Sequence, residues 1–200
     1  MRHLLLLALC ACSTPSQGWD LHETARERIG VGARVSAGAV RGDMSATLNV
    51  QKSRTRFETA TDNVSGTGER IRIEGFKELA GGRLEIGAFM SSTDMDYAKT
   101  QDVGLSFRAF MGEAKLRPYV EIRAGYRDQT MPGTVPGSLE VVDSGGGWVG
   151  GLGVGAELEL TKSLGAFLQI DLDYAEVDIG SAFTSTTTEI GVMLGGTVRF

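Results

Sequence analysis

Two pairs of carboxylates spaced by one residue, Glu157/Glu159 and Asp171/Asp173, are the side chains of this chain best suited by type to acid–base chemistry. Glycoside hydrolysis uses two carboxyl groups flanking the scissile bond. Spacing by two, however, places both members of a pair on one face of a strand. Arginines recur at the same spacing, so structural ion pairs are the expected use. Asp94-Met95-Asp96 lacks the ligand set of a calcium loop, and the Gly-x-Gly spacings between 145 and 155 precede no helix whose N-terminus could hold phosphate. Arg41-Gly42-Asp43 carries good turn chemistry and is expected to be a tight turn. Nucleophilic catalysis has little material. The only cysteines are Cys10 and Cys12 and the only histidines His3 and His22, so the body of the chain has no thiol and no imidazole base. No catalytic, cofactor or metal site is expected. A net charge of −5 argues against nucleic acid as a partner.

The elements that position these residues are strands. Composition excludes the other classes: 42% hydrophobic and 22% charged residues fit neither a disordered chain nor a helical membrane bundle. The 28 glycines in 200 residues are about twice the usual share. Residues 1–11 read as a signal peptide, in which Met1-Arg2-His3 precedes an apolar run, Leu4 to Leu9, too short to span a bilayer. Leu9-Cys10-Ala11-Cys12 resembles a bacterial lipobox, which makes Cys12 the expected lipidation site; cleavage after Ser13 is the competing reading. Residues 12–27 read as a polar tether and 28–200 as a β-barrel.

From Ile29 onward apolar residues alternate with polar ones or glycine, the signature of half-buried strands. Ile29 to Ala39, Ala46 to Val50, Ile71 to Ile73, Leu84 to Met90, Val103 to Ala109, Leu116 to Tyr126, Trp148 to Leu160, Leu164 to Tyr174 and Ile190 to Phe200 all follow it. Short links at 41–43, 79–82, 112–114 and 161–163 alternate with longer polar ones at 62–68, 92–101, 128–146 and 179–186. That pattern describes an all-β, antiparallel up-and-down meander closed into a barrel. The segments number nine, whereas single-chain bacterial membrane barrels use even numbers. Eight strands are expected, within a range of eight to ten.

Two barrels share this alternation. A lipid-tethered, lipocalin-like barrel would turn Leu152, Val154 and Leu158 inward around a hydrophobic ligand. A transmembrane barrel turns them outward to lipid. Three features favour the second. The polar face carries Arg34, Arg72, Arg108, Arg117, Arg123 and Arg199 together with Glu74, Glu85, Glu121, Glu157, Glu159, Asp171 and Asp173, an expected interior charge network in which arginine excludes lysine. Tyr126, Trp148 and Tyr174 stand where an aromatic girdle would be. Finally, an alternating strand runs to Phe200.

The stretch Glu189 to Phe200, with Val198 and Phe200 at alternate positions, looks like the C-terminal signature of Gram-negative outer-membrane barrels. Gly150 to Leu164 resembles the penultimate hairpin of barrels similar to the OmpA membrane domain and the opacity-type porins. The resemblance implies eight strands, a bacterial outer-membrane location, surrounding outer-membrane lipid, and a barrel-assembly machinery that reads Val198 and Phe200. The expected function is non-enzymatic, with a structural, surface-exposed or adhesive role and a closed, charge-filled interior. The 128–146 loop is the candidate contact for a surface ligand. Some small outer-membrane barrels are acyl-transferring or deacylating enzymes that use a histidine on the wall, which this chain lacks beyond His22.

Overall fold

In a computed structural model, which describes residues 30–53, 56–112, 114–131, 144–179 and 183–200, the chain forms one closed antiparallel barrel of eight strands in sequential order. They are β1 (Val31–Ser53), β2 (Arg56–Leu79), β3 (Leu84–Met95), β4 (Lys99–Phe110), β5 (Leu116–Thr130), β6 (Ser144–Glu159), β7 (Leu164–Ile179) and β8 (Phe183–Arg199). The barrel closes where β1 pairs with β8 from Gly32↔Arg199 to Leu48↔Phe183. The Phe200 amide donates to the Val31 carbonyl at 2.9 Å, so the first and last strands meet at one end, the base.

Base turns are short and chemically marked. Ala80, Gly81 and Gly82 adopt φ of 50°, 70° and 84°, a left-handed bend that two glycines make cheap. At 160–163 the Thr161 hydroxyl accepts the amides of Ser163 and Leu164 at 3.2 and 3.0 Å.

Four sequence expectations need correction at the opposite end, the mouth; one is the 179–186 link, of which Ile179 belongs to β7 and 183–186 to β8. Arg41-Gly42-Asp43 is no turn but the middle of β1, with Arg41 and Asp43 pointing outward and Gly42 inward. The segments at 29–39 and 46–50 are therefore one strand, and nine becomes eight. Residues 62–68 lie within β2, and the expected loop at 92–101 shrinks to Asp96-Tyr97-Ala98. The physical reason is pairing. β1 has a continuous ladder on both sides, Arg41↔Thr67 with β2 and Arg41↔Ile190 with β8, which outweighs the turn preference of Gly-Asp.

The outer face is apolar over a band of uniform height. On β7, Leu164, Leu168, Ile170, Leu172 and Tyr174 point out, followed by Glu176 and Asp178. At about 3.4 Å per residue and a tilt of about 40°, that run makes a band about 26 Å tall, the thickness that barrels present to hydrocarbon. Its upper border lies between Ala39 and Arg41, Ile71 and Glu69, Met90 and Ser92, Val103 and Gln101, and Ile190 and Thr188. Tyr126, Trp148 and Tyr174 sit on that border, the last two with ring centroids 5.3 Å apart. Leu152 and Val154 are 55% and 58% exposed, so the apolar residues face out and the lipocalin-like alternative is not favoured. An exposed apolar belt of this extent is stable only against lipid.

Candidate functional site

The interior is where the chemistry-bearing side chains converge. Among the described residues seven arginines and eight carboxylates are buried in the lumen, and lysine is absent from that set. Arginine suits the task because its planar fork can bind several carboxylates at once.

The ion pairs stack from base to mouth. Near the base, Glu157 accepts Arg199, Arg117 at 3.0 Å and the Thr197 hydroxyl at 3.2 Å, while Arg34 bonds Glu85 and Arg199 bonds Glu78 at 2.7 Å. Aromatic rings fill the gaps between them. The guanidinium carbon of Arg34 lies 3.9 Å from the Phe76 centroid, that of Arg108 4.2 Å from Tyr119, and that of Arg117 4.2 Å from Phe110. In the middle layer Arg123 donates to Asp171 at 2.9 Å and to Asp173 at 2.7 Å, and also to Glu121. Arg72 reaches the other oxygen of Asp171 at 2.8 Å, and Arg108 Nε donates to Glu121 at 2.8 Å. Above it, Arg127 clamps Asp102 through Nε and Nη2 at 2.7 and 2.9 Å and bonds Glu189 as well. Arg70 joins Asp173 to Glu189 and donates to the Thr93 hydroxyl at 2.9 Å.

Glycine on β6 makes room for these long side chains. A Cβ at Gly151 would stand 1.9 Å from Asp173 Oδ1, and one at Gly155 would stand 2.6 Å from the Tyr119 hydroxyl. A cavity of about 10 Å³ lies between Arg72, Ser91, Asp102 and Asp173, the size of about one water.

Toward the mouth the lining becomes mixed: Val40, Met44, Met95, Ala98, Val177 and Ile179 are buried there beside Thr93, Thr100, Gln129, Ser185 and Thr187. Tyr97 folds in from the β3–β4 turn and lies in a slot made by Gly42 and Gly66, which are cross-strand partners. Burial, reinforced by the Glu189 carboxylate, pushes the Tyr97 hydroxyl well above its ordinary range. The turn is tied to β2 by Asp96, whose carboxylate accepts the Thr67 amide at 3.1 Å and hydroxyl at 3.3 Å.

Of the expected network, Arg72, Glu85, Arg108, Glu121, Arg123, Glu157, Asp171 and Asp173 are buried in the lumen. Arg117 and Glu159 are only partly buried; Glu159 stands at the base rim, two residues past Glu157, where the strand runs out. Asp102, Arg127 and Glu189 were missed by sequence reasoning because they lie just outside the segments where apolar partners mark the alternation. Their shared phase with Ser106, Arg123 and Gly191 was the signal that could have found them. Val198 and Phe200 face outward on β8 and just beyond its end. Cys12, with the whole signal and tether at 1–27, lies outside the described residues, as does most of the 128–146 loop.

No protein-family model matches the sequence, and no curated protein matches it. Solved structures do match. Neisserial surface protein A superposes with a TM-score of 0.60 at 13% identity, over 86% of this chain and 97% of that one. The outer membrane protease OmpT from Escherichia coli matches at TM-score 0.48 and 5% identity, over 90% and 99%. The N-terminal β-barrel domain of Pseudomonas aeruginosa OprF matches at 0.42 and 16%, over 82% and 99%. The last two are too loose to carry an argument. The fold of this chain is that of the small bacterial outer-membrane β-barrels, as its outward apolar belt requires.

Proposed function

We propose that the chain is a non-enzymatic, closed barrel of the bacterial outer membrane, with a structural and surface-exposed role. The observation that carries this reading is the filling of the lumen: its buried arginines and carboxylates are engaged with one another in stacked layers. Eight strands enclose an interior just wide enough for side chains. The base would lie in the periplasm and the mouth outside. Val198 and Phe200 would serve the assembly machinery, and a lipid on Cys12 would tether the N-terminal segment.

The test is conductance of the protein reconstituted in planar bilayers, with gel mobility of boiled and unboiled samples establishing the folded state. A heat-sensitive mobility shift together with a silent bilayer is expected. A stable, ion-selective conductance would overturn the closed-lumen reading. Radiolabelled palmitate incorporation lost in Cys12→Ser checks the lipid anchor.

A further inference from the structure

β2 is twice as long as the strand beside it. It spans Arg56–Leu79, but β3 pairs with it only as far as Gly68↔Met95. Beyond that point β1 stays paired with β8 as far as Leu48↔Phe183, whereas the outer edge of β2 has no strand partner among the described residues. From Glu69, at the band border, to Arg56 is about 30 Å of projection.

The groups offered along this edge follow from register. Thr67 turns both its backbone groups toward the β3–β4 turn, its amide to the Asp96 carboxylate and its carbonyl to the Asp96 amide. Its β1 pairing continues without a bulge from Thr67 to Phe57. Alternation therefore aims the N–H and C=O of Ser65, Asn63, Thr61, Thr59 and Phe57 along the free edge. Exposed edges are usually blunted by proline, lysine or a bulge. The stretch 57–65 contains no proline, lysine or bulge, and its charged residues are Glu58 and Asp62, which alternate with the edge-facing positions.

The charge along the hairpin has a direction. Its foot is acidic on balance: Asp43, Glu69, Asp94 and Asp96 are exposed there against Arg41 and Lys99, the latter bonding Asp94 at 2.9 Å, and Glu69 and Asp94 are direct cross-strand neighbours of like charge. In sequence its far end, the tip, is basic on balance, with Lys52 and Arg56 against Glu58. An antiparallel partner strand that is basic where it meets the foot and acidic where it meets the tip would complement both ends. A second copy of this edge has that pattern.

We propose that the β2 edge is a self-recognition surface, pairing antiparallel with the β2 edge of a second copy about a two-fold axis at Thr61. This centre sets Phe57 opposite Ser65, Thr59 opposite Asn63 and Thr61 opposite itself, so that all edge-facing residues meet as hydrogen-bonded pairs. It also brings each tip to the partner's acidic foot. Two copies in one membrane share a direction along its normal, and their strands cannot run antiparallel. The pairing therefore joins copies in apposed membranes, as a homophilic contact between surfaces. The inference rests on the outer-membrane reading above.

The experiment is clustering of phosphatidylcholine proteoliposomes carrying the full chain, read by light scattering, with heat-sensitive gel mobility recorded for each variant. Clustering is expected for the unaltered protein. Asn63→Pro removes edge donors while sparing the β1 ladder, and should reduce clustering roughly tenfold or more. Glu69→Lys and Arg56→Glu should each weaken clustering alone, whereas a mixture of the two vesicle populations should regain it, because each reversed foot meets a reversed tip. Unchanged clustering by Asn63→Pro, or no recovery in the mixture, would overturn the proposal. Absence of the mobility shift in the unaltered protein would instead sink the membrane-barrel reading on which it rests.

Discussion

The barrel wall at membrane level and the same wall at the mouth are built to opposite rules. Along β7 the outward residues run Leu168, Ile170, Leu172, Tyr174 and then Glu176 and Asp178, while the inward ones run Gln169, Asp171, Asp173 and then Ala175, Val177 and Ile179. The period of two never breaks, but polarity changes sides. β1 does the same, from Ala37 and Ala39 outside to Arg41 and Asp43, and from Arg34 and Ser36 inside to Val40 and Met44. Below the border, hydrocarbon surrounds the wall, so polar groups can be satisfied only inside, and they must satisfy one another. Above it water surrounds the wall, and on β1 and β7 apolar side chains enter the lumen, beside the buried Thr93, Thr100, Gln129, Ser185 and Thr187 of the other strands. The inversion marks the membrane surface more sharply than the aromatics, which occupy only the β5–β7 sector.

The contrast makes graded predictions, checked by urea unfolding of the protein in lipid vesicles. The largest effect belongs to the charged lumen. Arg123→Met would leave Asp171, Asp173 and Glu121 short of a shared cation, and should cost about 3–5 kcal/mol. A cost below about 1 kcal/mol would mean that water, not arginine, satisfies those acids. Next comes one substitution tried on both sides of the border. Leu168→Arg, on the lipid face, should cost about 2–4 kcal/mol, whereas Glu176→Arg, outward on the same strand, should stay within about 0.5 kcal/mol. Equal costs would remove the border from where the inversion puts it. The smallest effect is expected at the mouth: Tyr97→Phe deletes a hydroxyl that has no hydrogen-bond partner, and should change stability by less than about 0.5 kcal/mol while keeping the ring in its glycine slot.

The same inversion explains which parts of the fold were legible. Where lipid surrounds the wall, apolar residues recur in one phase, and the alternation of Leu164 to Tyr174 or Leu152 to Leu160 identifies strand and face together. Arg41-Gly42-Asp43 and Ser92 to Gln101 were misjudged because the phase flips there, and a strand whose outer face has turned polar looks locally like a loop. Asp102, Arg127 and Glu189 were lost to the same cause, each standing next to the flip. Glu159 erred the other way: its phase is right, but it stands beyond the point where the wall still encloses it.

By itself, the order of residue types determined that this chain is an antiparallel barrel with one apolar and one arginine-rich polar face, and favoured the apolar face toward lipid; the exposure of Leu152 and Val154 decided it. Period-two alternation and the absence of histidine and cysteine from its body are local properties that need no partner to be read. Only the tertiary structure decided how many strands there are, which acid each arginine holds, and how far β1 and β2 rise above their neighbours. Those outcomes depend on register between strands, which closure of the barrel sets for all of them at once. Arg70 meets Glu189 across 119 residues of sequence because the ring closes β8 onto β1 and thereby leaves only β1 between β8 and β2.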